Sequence, residues 1–520
     1  MSNKDQLILR TPKQQDYRNP EAILGLNELK QWLDRLPLLR PAQTIGELLD
    51  ALTAINLQEL NPKKRRPLLD SFRQVILTIY PSLELDALKR LSLKKNEREH
   101  LQGQITALCM ALSDGYKIIV KNALEDNSTR IQNIFFTPLY HALEAASLAL
   151  LNGYRSYQTA PALLYQDTHQ LFILAEHSGL LDQQMDEIHH SPCAKDMGSL
   201  YKQTMILSFL DPFRMPTGIA TKLYDRLSTL AQHCTMLAHF PDSETQGIFV
   251  IDMMADKAPL ALFKISPDMK LGKPRAFNTQ TMTNKLQAEI TVLQSAEQGL
   301  STRNEIDLLS RLIPASQEQV TRKSERSASD RSCKLVFGID AVNHFLSLNK
   351  QDLDQALASS AGAMSDHVLE SWVITNESET GLSLTSPQGS CSEASVGDIT
   401  GILAESSAPG EQNGKLAIIR WLRTDEKNHL NIGIEFILGN QMPALCTWTD
   451  TSDNINTFKA IFISSIALND IPATLLTPKR VYRRDRVIDM NIGNQTRRIK
   501  AGFLRDESLS YDRFEFSSLS

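Results

Sequence analysis

The chain reads as a multidomain α plus β protein: an all-helical N-terminal region, then a small antiparallel β-barrel, then a C-terminal β extension. Three observations lead there. Through most of the first half apolar residues recur at three- and four-residue spacing, as in Leu26, Leu29, Trp32, Leu33 and Leu36. After Ser332 the texture changes to short, closely spaced alternating runs separated by turn residues. At 520 residues the chain also exceeds one ordinary domain; at roughly 100 to 200 residues per domain, about three are expected.

Composition narrows the class. Apolar residues at 42% and charged residues at 22% are ordinary for a globular protein, which excludes wholesale disorder. A net charge of −5 supplies no global attraction to nucleic acid or anionic membrane, so any anion must be bound locally. Cys109, Cys193, Cys234, Cys333, Cys391 and Cys446 are scattered singly, which argues against a zinc module or disulfide scaffold and fits a reducing cytoplasm. The N-terminus lacks an apolar secretory core, and no run of 18 apolar residues occurs. A cytoplasmic protein without a transmembrane segment is expected.

Residues 1–20, with Pro12 and Pro20, read as a flexible leader. A helical domain follows over 21–245. Within it Thr44-Ile45-Gly46-Glu47 has the form of a capping box before Leu48, and Lys63-Lys64-Arg65-Arg66 reads as a solvated turn before a helix at Pro67. No repeat could be registered, so a bundle or irregular solenoid used for contacts is expected. Residues 246–313 form a mixed α/β connecting region: Gly247–Asp252 and Leu260–Ile265 suggest a hairpin, and helix returns to Ile313. A linker spans 314–331, a barrel 332–440, and the β extension 441–520. In the barrel, Cys333–Gly338, Trp372–Thr375, Gly381–Thr385, Ile399–Ala404, Leu416–Leu422 and Asn431–Ile437 are the expected strands, with a short helix at Ala341–Leu348.

Two patterns carry chemistry. Arg322 and Arg326 stand four apart in the linker; guanidinium forks match phosphate oxygens or a guanine edge and can stack on a base. A solvated basic linker has the same composition. Asn376-x-Ser378-x-x-Gly381 lies between two alternating runs, where Asn and Ser can address a base edge and Gly permits a positive φ or close backbone approach. An ordinary hairpin turn uses the same residue types. His189-His190 with Cys193, and His233-Cys234 with His239, lack paired metal-ligand spacing, so no metal is expected. Nucleophile-elbow, zinc-protease and phosphate-loop patterns are all missing, and so no catalytic residue is assigned.

In this order, and followed by the Arg420-Trp421 and Gly433-Ile434-Glu435 strands, the two patterns resemble the PilZ family of cyclic di-GMP receptors. That family carries Arg-x-x-x-Arg and then Asp/Asn-x-Ser-x-x-Gly on a six-stranded barrel. The resemblance implies that Arg322 and Arg326 grip guanine and phosphate, with Arg331 as the alternative in the arginine register. It implies that Asn376, Ser378 and Gly381 read guanine from the barrel surface. The expected function is a non-enzymatic effector that needs no cofactor, takes cyclic di-GMP at the linker and barrel junction, and contacts an unidentified protein partner through its helical region, with no nucleic acid polymer. The alternative is a degenerate scaffold acting as an adaptor without nucleotide.

Overall fold

The computed structural model describes residues 9–16, 19–84, 94–125, 131–186, 191–237, 247–266, 268–295, 300–313, 327–348, 368–386, 394–404, 414–449, 454–466 and 471–519. It divides into two compact units. One comprises Met1–Pro212 with Thr217–Val320, the other Phe213–Pro216 with Thr321–Ser520.

The first unit is helical and then mixed. Its described helices before the sheet are α1 (Leu26–Leu33), α2 (Pro41–Leu57), α3 (Pro62–Ile79), α4 (Lys95–Glu125), α5 (Ile131–Arg155), α6 (Leu164–His177), α7 (Met197–Phe209) and α8 (Ile219–Leu230). In α2 the buried stripe Ile45, Leu48, Leu52 and Ile55 follows the helical period. That helix begins at Pro41, whose fixed φ suits a first helical position, so Thr44 is interior and its hydroxyl donates to the Pro37 carbonyl at 2.7 Å. The expected capping box is therefore not formed. The Lys63–Arg66 run likewise lies inside α3, which starts five residues before Pro67 because Asn61 caps it by accepting from the Lys63 amide. Arg65 is fully buried and donates to the Ile55 and Gln58 carbonyls at the end of α2, where a cation complements unpaired acceptors. Burial pulls its pKa down to about 10.

A four-stranded sheet in the order β1–β4–β2–β3 completes this unit, from β1 (Thr235–Leu237), β2 (Ile248–Asp252), β3 (Leu260–Ala261) and β4 (Pro274–Asn278). The expected hairpin is its β2–β3 pair, but β3 stops after two residues and β4 takes the other side of β2. Helices α9 (Gln280–Ser295) and α10 (Leu300–Ser310) follow.

The second unit holds two six-stranded barrels. The first consists of β6 (Ser332–Phe337), β7 (Glu370–Ser378), β8 (Gly381–Ser386), β9 (Ile399–Ala404), β10 (Lys415–Thr424) and β11 (Leu430–Phe436), in the ring order β7–β6–β9–β10–β11–β8 that closes through a β7–β8 pairing. The short strand β5 (Ser327–Ala328) adds to β7. This is the α plus β architecture expected. The C-terminal extension proves to be a closed barrel of its own: β12 (Gln441–Thr449), β13 (Ile455–Ile463), β14 (Thr474–Pro478), β17 (Tyr511–Ser518), β16 (Gln495–Glu507) and β15 (Val487–Ile492), ringed in that order.

One helix, α11 (Ile339–Ser347), joins the two barrels. Gly338 precedes it at φ +87°, a left-handed turn that favours glycine. Ile339, Val342 and Phe345 share one apolar cluster with Leu416, Ile418 and Ile437 of the first barrel and Ile461, Ile463, Leu476 and Tyr511 of the second. From the same helix the Asn343 amide donates to the Ala444 carbonyl at 3.0 Å and the Ala460 carbonyl at 2.7 Å. Because a buried amide with two acceptors is costly to remove, Asn343→Ala is expected to lower unfolding stability by ~1–3 kcal/mol. Urea denaturation followed by circular dichroism checks this; an unchanged midpoint would show the bridge to be dispensable.

Candidate functional site

Arg322 and Arg326 lie outside the described residues. Ser327, directly after them, is in register with Glu377, and Ala328 with Asn376. The Ser329 amide then donates to the Thr375 carbonyl at 3.2 Å, and the Ile374 amide to the Arg331 carbonyl at 2.8 Å. The chain that leaves the arginine pattern therefore runs alongside the strand that carries Asn376. The long interval in sequence is closed by one antiparallel pairing.

The second pattern spans the β7–β8 hairpin. The Ser378 hydroxyl donates to the Gly381 carbonyl at 3.1 Å, which ties the turn across Glu379 and Thr380. Of the two glycine requirements weighed from sequence, close approach is the one met. A Cβ at Gly381 would stand 2.1 Å from the Ile434 carbonyl oxygen on the neighbouring strand, and Gly381 pairs there with Glu435.

Strand register shows which residues share the outer surface. Ile374, Leu384, Ile432 and Leu422 pair across β7, β8, β11 and β10 and are all buried inside the barrel. The adjoining row, Asn376, Ser383, Gly433 and Trp421, alternates to the outside. Its two ends coincide with β-bulges, between Ile374 and Asn376 and between Ile419 and Trp421, which re-aim side chains and add local twist. The half-buried Trp421 indole lies directly on Gly433, where a Cβ would come within 1.8 Å of its Nε1. The half-buried Asn376 side chain makes no hydrogen bond among the described residues. A ring platform and an uncommitted amide thus sit three strands apart on one face.

Charge flanks this row. Arg331, 66% exposed, donates through Nη2 to the Glu377 carboxylate and lies 3.4 Å through Nε from the Ser329 hydroxyl. Arg420, on the bulge beside Trp421, donates through Nε to the Glu435 carboxylate at 2.5 Å. Arg331, Asn376, Ser378 and Gly381 are therefore gathered on and beside one hairpin. Sequence reading quoted the Arg420-Trp421 and Gly433 to Glu435 strands but missed their part here, since a bulge at Arg420 hides the register.

Of the metal-ligand candidates, His189, His190 and His239 lie outside the described residues. Burial pushes the Cys193 and Cys234 thiols up to about 12, which leaves them protonated. Among the described residues no group of three or more His, Cys, Asp or Glu is placed to hold a metal, and no helix is long and apolar enough to cross a membrane. The basic residues of the last barrel are engaged at its surface: Arg498 pairs with Asp489, Lys500 with Asp485, and Arg486 lies 3.8 Å over the Trp448 ring.

Comparison with known proteins adds a second line. The family model described as "Cyclic-di-GMP receptor FimW, N-terminal domain" matches residues 27–242, and that described as "FimW C-terminal beta-barrel domain" matches residues 444–519. The chain is 22% identical to a protein named "Cyclic-di-GMP receptor FimW" from Pseudomonas aeruginosa, over an alignment that covers 98% of this chain and 93% of that protein. No solved structure matches. The first barrel, with its hairpin, falls between the two matched spans, and the helical region and the closing barrel on either side of it are similar to the two FimW domain models.

Proposed function

We propose that the chain is a non-enzymatic cytoplasmic effector that binds cyclic di-GMP on the outer face of the first barrel, where the segment 314–331 meets the β7–β8 hairpin. The observation that carries this reading is the pairing of Ser327 and Ala328 with Glu377 and Asn376, which runs the chain after the arginine pattern beside the hairpin. The name of the similar receptor supports the choice of nucleotide. Arg322, Arg326 and Arg331 supply donors for phosphate and guanine, Asn376 and Ser378 address a base edge, and Gly381 keeps the surface flat. Trp421 offers a face on which a guanine can stack. Binding favours whichever arrangement of segment 314–331 completes these contacts. That bias is passed to the helical domain 21–245, through the connecting region 246–313, and there alters a surface for a protein partner. No nucleic acid polymer, metal or other cofactor is required.

A second reading has one observation in its favour: Arg331 is tied to an internal carboxylate, as in a scaffold that no longer binds nucleotide and serves as an adaptor. Titration calorimetry separates the two. Heat at micromolar cyclic di-GMP is expected, and so is a loss of binding in Arg322→Ala/Arg326→Ala; no heat, or an unchanged double variant, favours the adaptor. Chromatography after incubation should return the nucleotide intact.

The platform has its own test. Base–aromatic stacking is worth ~1–3 kcal/mol, so Trp421→Ala should weaken binding about ten- to a hundredfold. Gly433→Ala should act in the same direction with the tryptophan still present, because the added methyl displaces the indole. Equal affinities for both variants and the unmodified protein would remove Trp421 from the site.

A further inference from the structure

The segment between β14 and β15, residues 479–486, sets Lys479, Arg480, Arg483, Arg484 and Arg486 against the single carboxylate of Asp485, in a chain whose net charge is −5. Its shape is fixed. Arg480 and Asp485 stand at φ +73° and +66°, left-handed positions that a non-glycine residue keeps only where its surroundings hold it. Here the buried Asp512 carboxylate accepts from the Arg480 and Tyr482 amides at 3.0 and 3.3 Å, and the Tyr482 hydroxyl donates to the Gly502 carbonyl at 2.9 Å. The Asp485 amide donates to the Ala501 carbonyl, also at 2.9 Å.

The carboxylates around this loop are already engaged. Asp512 and Glu507 hold Lys479, and Asp485 holds Lys500. The exposed guanidiniums of Arg480, Arg483 and Arg484 make no hydrogen bond or ion pair among the described residues. Two large apolar side chains flank the loop. Toward its end Arg484 lies 4.9 Å over the Phe503 ring, which is 62% exposed. At its start the Lys479 amide donates at 3.1 Å to the Ser510 carbonyl, in the turn that carries Leu509, 67% exposed.

Cations without carboxylates beside uncovered apolar residues suit a membrane interface, where guanidiniums reach lipid phosphates while apolar side chains enter the boundary of headgroup and acyl chain. A single-stranded nucleic acid would instead need open ring faces for its bases. Phe503 and Trp448 each have a face taken, by Arg484 at 4.9 Å and by Arg486 at 3.8 Å, and Leu509 offers no stacking plane. We propose that residues 479–486, with Phe503 and Leu509, form a peripheral docking surface for an anionic phospholipid bilayer, independent of the nucleotide reading above. Attachment there is reversible, because a few guanidiniums and two shallow apolar contacts fall far short of a spanning helix.

Sedimentation of the full chain with phospholipid vesicles tests this. The protein should pellet with vesicles containing phosphatidylglycerol, stay in solution with pure phosphatidylcholine, and dissociate as salt is raised. Each basic residue near an anionic surface contributes about fivefold, so Arg480→Gln/Arg483→Gln should weaken partition about ten- to thirtyfold, with an unchanged melting temperature. Arg497→Gln/Arg498→Gln removes the same charge from β16 of the same barrel and should partition nearly as the unmodified protein does. Phe503→Ser should weaken partition at low and high salt alike. Equal partition into both vesicle types, or an equal loss from the two arginine pairs, overturns the proposal; so does capture of a fluorescent single-stranded oligonucleotide with no vesicle binding.

Discussion

The second unit depends on the apolar cluster around α11. Without Ile339, Val342 and Phe345 between them, Leu416 and Ile418 of the first barrel and Ile461 and Leu476 of the second would face water. Each such buried side chain contributes ~1.5–3 kcal/mol, so the shared core outweighs the polar contacts that accompany it. Those polar contacts set register instead. Asn343 fixes the helix against two strands of the closing barrel, and the buried Gln441 accepts from the Leu416 amide while donating to the Ile437 carbonyl across the link between barrels. The barrel that bears the hairpin is therefore held as part of a larger rigid body.

That rigidity is what makes a surface row usable. A row of Asn, Ser, Gly and Trp on an isolated hairpin would fray, since two strands alone are marginal in water. Here β7, β8, β11 and β10 are ring members with partners on both sides, and their inner residues Ile374, Leu384, Ile432 and Leu422 are buried. The bulges at the two ends are then tolerable departures from the ladder. They turn Asn376 and Trp421 outward at the place where small residues leave room.

Much of the fold was legible because β periodicity is a local signal. Alternation located all six strands of the first barrel, and the helical stripes placed the N-terminal region. What escaped was encoded elsewhere. Strand β12 contains Pro443, which argues against a strand; it is accommodated because it precedes the Leu445–Thr447 stretch that pairs with β15. Without β12 the extension could not be seen to close. Arg65 looked solvated within a basic run, and only the tertiary approach of the end of α2 supplies the carbonyls that bury it. The hairpin pattern was readable from its residue types, whereas the pairing of Trp421 with Gly433 depends on a bulge that shifts register by one and has no signature in local sequence.

Electrostatics explains why the candidate site must be compact. The whole chain carries −5, yet at physiological ionic strength charges beyond about 8 Å are largely screened, so distant carboxylates scarcely affect an anion at the hairpin. Carboxylates in contact do. Glu377 and Glu435 neutralise the described arginines beside the hairpin, so the free surface there has little net field to draw in an arbitrary polyanion. On the proposed reading, selection at that surface rests on the ring and amide of the outer row, Trp421 and Asn376, and not on net field.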